Sequence, residues 1–300
     1  MKDTNNLIKR ITKYRISYVM VAPYMLLFCL FTALPVLISI FLSFTNYNLL
    51  QPPTLAMFEN YKRLFLADDV FMIAIKNTFV IAVITGPISY MACFLLAWMI
   101  NDYNPKMRAI LTTVFYAPSI SGSMYMMWQI MFSSDSYGLI NSFLIKTGFI
   151  SSPVQWLQDQ RYILIVVIIV SVWMSLGTSF LAFIAGLQGI DRSLIEAGSV
   201  DGITNRWQEL WYITLPSMRP QLMFGAVMQI TSSFGAGAVS AGLAGLPSVD
   251  YSAHTIVNHI TDYGGMRFEL GYASAIATIL FALMIVSNEL VQHLLRKVGN

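Results

Sequence analysis

Residues 18–44 read YVMVAPYMLLFCLFTALPVLISIFLSF, without one charged side chain. A bilayer core about 30 Å thick is crossed by roughly 20 mostly apolar helical residues, so this run is long enough to span it. Lys2, Lys9, Arg10, Lys13 and Arg15 precede it. A basic arm before an apolar run also opens a secretory signal. This run is too long for a signal's apolar region, however, and it ends without a small-residue cleavage site. It is expected to form an uncleaved first membrane helix.

Working outward, further apolar runs lie at 74–100, 109–132, 162–187, 221–243 and 270–295. Gly86-Pro87 interrupts the second, and Lys76 near its start can snorkel to the interface. Over all 300 residues the hydrophobic fraction is 56% and the charged fraction 11%, against about 45–50% and about 25% in soluble domains. A soluble globule could not coat its surface with so little charge. A disordered chain needs low hydrophobicity, and a disulfide scaffold needs more than two cysteines. The net charge of +3 is too small and scattered for nucleic acid. The expected fold class is therefore all-α, a polytopic membrane protein with six transmembrane helices. Residues 1–17 form an N-terminal arm, 18–295 the membrane domain and 296–300 a tail.

With six spans both termini lie on one side. The arm, the 101–108 turn, the 188–219 loop and the tail hold 12 of the 18 Lys and Arg residues. The positive-inside rule then places both termini in the cytoplasm. Residues 45–73, 133–161 and 244–269 become external loops, and 133–161 carries an amphipathic piece (Leu139, Ile140, Phe143, Leu144) at helical spacing.

No phosphate-binding GxxxxGK[ST] loop is present, so any ATP must bind to another chain. His254, His259 and His293 are not spaced as metal ligands, and Cys29 and Cys93 sit in apolar runs. No Ser/His/Asp, Cys/His or HExxH set suggests an enzyme. Charge inside the spans is nearly absent: apart from Lys76 at the start of the second, it is Glu289, near the end of the sixth. A proton- or sodium-driven carrier would need a buried acid relay. What the spans do carry is neutral polarity: Tyr116, Ser119 and Gln129 in the third, Gln229 and Ser233 in the fifth. Hydroxyls, amides and rings suit an uncharged polyhydroxy ligand; the same residues also serve close helix packing. Pro118 and Gly122 should loosen the third helix, a defect tolerable only beside protein or a wet cavity.

Residues 188–216, QGIDRSLIEAGSVDGITNRWQELWYITLP, differ from their surroundings. Asp191 can cap a short helix and Gly202 can close it. Leu194, Ile195 and Val200 give that helix an apolar stripe, and a second amphipathic piece follows at 207–211. Short helices with an apolar edge between two spans should dock on a partner. The loop balances its arginines with Asp191, Glu196, Asp201 and Glu209, which favours protein over lipid headgroups.

Glu196-Ala197-Gly198, then Gly202, then Ile213-Thr214-Leu215-Pro216 resembles the EAA loop of ABC importer permeases. Gly198 replaces the second alanine of that pattern, and ten residues rather than nine separate Gly202 from Ile213. Asn60-Tyr61-Lys62-Arg63-Leu64-Phe65, Lys76-Asn77-Thr78-Phe79, Gly138-Leu139-Ile140-Asn141 before Trp156-Leu157, and Gly271-Tyr272-Ala273-Ser274-Ala275 are similar to carbohydrate permeases. Leu243-Ala244-Gly245-Leu246-Pro247 stands where a TGGGP stretch is common. The resemblance is to the MalF-like half of an oligosaccharide importer and covers nearly the whole chain.

That resemblance implies a type I ABC importer permease fold in a bacterial plasma membrane. It implies three partners: a second, MalG-like permease, an ABC ATPase dimer that binds ATP and Mg, and an extracytoplasmic solute-binding protein that delivers sugar. No cofactor is expected in this chain itself. Glu196, Ala197, Gly198, Asp201 and Gly202 would form the coupling helix that docks on the ATPase. Tyr116, Ser119, Gln129, Gln229 and Ser233 are the expected substrate-pathway residues. Two alternatives stay open: an ABC permease for glycerol phosphate or another small solute, and a stand-alone secondary carrier.

Overall fold

The computed structural model describes residues 13–297, so Lys2, Lys9 and Arg10 of the expected arm and residues 298–300 of the expected tail lie outside the described residues. The chain is an antiparallel bundle of helices. α1 (Arg15–Leu42) is followed by a two-residue antiparallel ladder of β1 (Thr45–Asn46) and β2 (Thr54–Leu55). Next come α2 (Glu59–Leu66), α3 (Asp69–Asn101), α4 (Pro105–Ile120), α5 (Tyr125–Met131) and α6 (Leu139–Lys146). α7 (Ile163–Met174) and α8 (Thr178–Gln188) lead to α9 (Arg192–Val200) and α10 (Arg206–Glu209). α11 (Arg219–Phe234), α12 (Gly237–Ala244), α13 (Ile256–Thr261) and α14 (Leu270–Lys297) complete the chain.

Among the described residues, five helical stretches are long and apolar enough to cross a membrane: Arg15–Leu42, Asp69–Asn101, Ile163–Gln188, Arg219–Ala244 and Leu270–Leu294. At the third of the six expected spans no continuous helix of that length forms. There α4 ends at Ile120, Ser121 is extended (φ −91°, ψ 107°), and α5 starts only at Tyr125. The cause is local: Pro118 lacks an N–H for the last turn, and Gly122 does not support a new one. Gly86-Pro87, expected to interrupt the second span, does not: α3 runs unbroken through Pro87. In α1, a π turn at Cys29–Ala33 sits just before Pro35, whose missing N–H disturbs the hydrogen-bond ladder.

Both ends of the described chain lie at one end of the bundle, here the terminal end. The turn at 102–104 and the 188–219 loop share it, because Arg206 of α10 pairs with Asp102 at 2.6 Å. The 45–73, 133–161 and 244–269 segments meet at the opposite end. Three asparagines hold them. The Asn60 amide donates to the Ser43 and Thr45 carbonyls at 2.9 and 3.0 Å, taking up the free C=O groups where α1 stops. The Asn77 amide donates to the Tyr251 and His254 carbonyls at 3.1 and 3.0 Å, while Thr78 Oγ1 accepts from the Ile256 amide at 2.9 Å. Asn141 donates to the carbonyls of Ser133, Asp135 and Val154 and accepts from the Trp156 indole at 2.8 Å. Irregular backbone beside a membrane must be satisfied within the protein, and these amides do it.

The apolar core follows the same division. Leu64, Phe71, Ile256, Tyr272 and Ile276 pack under the opposite end. Phe94, Phe180, Phe183, Leu187, Leu210 and Met218 pack toward the terminal end. Ile81, Phe132, Ile163 and Val170 join α3, α5 and α7. The Arg15–Phe28 half of α1 has no buried residue, which suits a helix facing lipid.

Candidate functional site

Two places in the molecule combine unusual polarity with access. The first is a polar cavity of about 230 Å³ lined by Tyr116, Ser119, Ser175, Thr178, Gln229 and Ser232 among others. Helix breaks create it. The end of α4 brings Tyr116 and Ser119 to the gap between α7 and α8, where Ser175, Leu176 and Gly177 leave the helix. α11 supplies Gln229 and Ser232. Gln229 is 4% exposed, and its Oε1 accepts from Ser179 at 3.4 Å. Ser179 Oγ also donates to the Gly225 carbonyl at 3.0 Å, so the amide is held between α8 and α11. Ser119 Oγ donates to the Tyr116 carbonyl at 2.8 Å. None of the residues lining the cavity is charged.

Of the five residues expected along the pathway, Tyr116, Ser119 and Gln229 line this cavity. Ser233 faces away from it: its hydroxyl donates to the Gln229 carbonyl at 2.6 Å, and it borders a largely apolar cavity of about 520 Å³ between α3, α11 and α14. Gln129 is elsewhere, and its amide donates to the Gly242 carbonyl to tie α5 to α12. Sequence reasoning missed Ser175, Gly177, Thr178 and Ser179. The signal was visible as Ser175-Leu176-Gly177-Thr178-Ser179, a polar interruption in the middle of the 162–187 run.

The second place is the 188–219 loop. Asp191 Oδ1 accepts from the Ser193 amide at 3.0 Å and caps α9. The helix closes at Gly202, whose φ of +93° favours glycine, and the Ile203 amide donates back to the Gly198 carbonyl at 2.9 Å. Gly198 is buried. A Cβ there would stand 2.5 Å from Ile213 Cδ1 and 3.0 Å from Ile203 Cδ1. The glycine therefore lets α9 sit directly on the π turn Leu210–Thr214, and Leu210 reaches the core beside Phe183 and Met218. The loop is a packed unit anchored to the spans. Arg206 adds a strap, stacking 4.4 Å above the Trp98 ring while pairing with Asp102.

The outer surface of this loop is different. Glu196, Ala197, Asp201 and Gly202 are exposed. Leu194 is 48% exposed, Val200 87% and Trp211 62%. The Glu196 side chain makes no hydrogen bond or ion pair among the described residues. The loop thus presents a carboxylate and several large apolar side chains at its surface.

A third cluster lies at the opposite end. Asp68 caps α3 through the Phe71 amide at 2.9 Å, accepts from His259 Nε2 at 2.9 Å and from the Tyr272 hydroxyl at 2.7 Å. His259 Nδ1 faces His254 Nε2 at 3.2 Å. Burial would raise the Asp68 pKa, but the bonds from His259, Tyr272 and Phe71 outweigh it and hold the carboxyl well below the usual range. Burial pushes His254 down to about 4, with His259 adding to the effect. Through the bonds from His259 and Tyr272 to Asp68, this cluster ties α3, α13 and α14 together.

The comparisons agree with this geometry. A family model described as "Binding-protein-dependent transport system inner membrane component" matches residues 5–300. The chain is 34% identical over 277 residues to the probable ABC transporter permease protein YesP of Bacillus subtilis (strain 168), covering 89% of this chain and 86% of that one. It is 32% identical over 224 residues to the lactose transport system permease protein LacF of Rhizobium radiobacter, covering 73% and 72%. A crystal structure of a bacterial ABC transporter that imports the acidic polysaccharide alginate contains a chain of similar fold, with TM-score 0.77, 25% identity and coverage of 98% and 100%. The family model spanning nearly every residue and the bundle of apolar helices together make this chain an inner-membrane permease subunit of the binding-protein-dependent ABC importer family.

Proposed function

We propose that this chain is one half of the membrane pathway of an ATP-driven importer for an uncharged sugar or oligosaccharide. The observation that carries the reading is the mid-bundle cavity of about 230 Å³, walled by hydroxyls, an amide and a tyrosine ring and by no charged residue. Those groups hydrogen-bond a sugar's hydroxyls while the ring covers its C–H face. Phosphate recognition normally recruits Arg or Lys, which argues against glycerol phosphate. The cavity is smaller than the roughly 300–1,000 Å³ of typical ligand pockets. A second permease, MalG-like, would supply the facing wall.

In this reading both termini are cytoplasmic, and the 188–219 loop docks on an ATPase dimer that binds ATP and Mg. Glu196, Ala197, Gly198, Asp201 and Gly202 form the contact. ATP favours one ATPase arrangement, and a rigid docked helix biases the inward/outward equilibrium of the spans. The opposite end receives the solute-binding protein. Relatives named as sugar permeases support the substrate class.

The test is reconstitution with the co-purifying permease, ATPase and binding protein in lipid. Neutral oligosaccharides should stimulate ATP hydrolysis through the binding protein, and Tyr116→Ala with Gln229→Ala should raise the sugar concentration needed for uptake. Stimulation by sn-glycerol 3-phosphate alone, or transport by the chain without ATP, would overturn it.

A further inference from the structure

Behind the polar cavity three helices meet around a second, smaller space of about 20 Å³. Thr85 and Ser89 stand four apart on α3, and Ser171 and Ser175 four apart on α7 and its cap, so each pair shares a helix face. Gln229, Ser232 and Ser233 of α11 close the third side. Two of the four facing hydroxyls have spent their protons: Thr85 Oγ1 donates to the Ile81 carbonyl at 2.8 Å and Ser175 Oγ to the Val172 carbonyl at 2.6 Å. The other two have not. Ser89 is 1% exposed and Ser171 9% exposed, and neither Oγ has a hydrogen-bond partner among the described residues. Buried hydroxyls are rarely left unpaired.

We propose that this junction is a hydration site, in which one water bridges α3 and α7. The water accepts the protons of Ser89 and Ser171 and donates its own to the oxygens of Thr85 and Ser175. Each oxygen in the set then has a complementary partner, and the water has four, within the two to four that buried waters make. The volume exceeds the roughly 10–15 Å³ that a single water requires and is far too small for a sugar. No ionisable group lines it, so a buried ion would lack the compensation it needs. The water sits back to back with the larger cavity, since Ser175, Gln229 and Ser232 border both spaces.

The test uses the chain purified with its partner subunits in lipid nanodiscs. Ser89→Ala and Ser171→Ala each strip the water of one partner, and each should lower the melting midpoint by about 2–4 °C. The double variant should lose less than the sum, because both hydroxyls hold the same molecule. A high-resolution map of the wild-type transporter should show density within hydrogen-bond distance of both serines. A dry junction reverses the sign: alanine would then remove an unsatisfied hydroxyl, and an unchanged or raised midpoint in either single variant overturns the proposal. So does a map without that density.

Discussion

At the end opposite the termini, Asn60, Asn77 and Asn141 are buried and each reaches two or more backbone carbonyls. At the terminal end Glu196 is exposed, and its side chain has no hydrogen-bond or ion-pair partner among the described residues. All four belong to stretches that resemble one permease family, yet their physical situations are opposed. A buried asparagine with every amide proton placed is explained by the fold it closes. An exposed glutamate on a loop that also exposes Val200 and Trp211, at 87% and 62%, has no such internal explanation. The difference separates motif residues that the fold itself explains from one that only the proposed partner contact would explain.

Glu196→Lys gives the largest effect expected. Reversing a charge in a docked interface costs several kcal/mol of coupling, so uptake should fall to background. Because Glu196 supports nothing inside the chain, membrane level and melting midpoint should stay at wild-type values. Normal uptake, or loss of the protein itself, would erase the contrast between the two ends.

Asn77→Leu should behave in the opposite way. It strips the Tyr251 and His254 carbonyls of a donor in a buried setting, at a cost of about 1–3 kcal/mol. The midpoint should drop, while uptake per folded molecule changes little. A transport defect at unchanged stability would move Asn77 into the partner-facing class.

Acid should strike the opposite end first. His254 stays neutral in the fold down to about pH 4 but charges near its ordinary 6.5 when unfolded. Between those values the unfolded state binds more protons, so stability declines as pH falls, by at most about 1.4 kcal/mol per pH unit. Asp68 adds loss of the same sign below its ordinary 3.8. His254→Gln should flatten the melting midpoint across pH 6.5 to 4, and an unaltered slope would show that another group carries it.

These contrasts were unevenly legible in the sequence. Apolar run length gave the long helices, and Asp191 and Gly202 gave the ends of α9 with little error. The break in the third span was foreshadowed by Pro118 and Gly122, although its consequence, two short helices in place of one continuous helix, was not. Of the residues that polarity named for a substrate pathway, Tyr116, Ser119 and Gln229 share one cavity. Gln129 and Ser233 lie outside that cavity, since a polar side chain inside a span can equally satisfy a neighbouring carbonyl, as both of these do. The Asp68, His259 and Tyr272 contacts span about 200 residues of chain, a separation that no local pattern encodes.

The smallest effect concerns the strap at the terminal end. Arg206 and Asp102 have side chains 49% and 53% exposed, where an ion pair contributes about 0–1 kcal/mol. The stack on Trp98 adds about 0.5–1 kcal/mol more. Arg206→Lys keeps the charge and loses the planar stack, so the midpoint should move by a degree or two at most. If the loop acts as a rigid lever between ATPase and spans, the same substitution should cost transport more than stability, because a lever that slips at α3 wastes the motion delivered at α9. Uptake and midpoint measured together decide this. Equal, small losses would make the strap a surface contact and leave the Gly198–Ile213 packing as the route by which the loop moves the bundle.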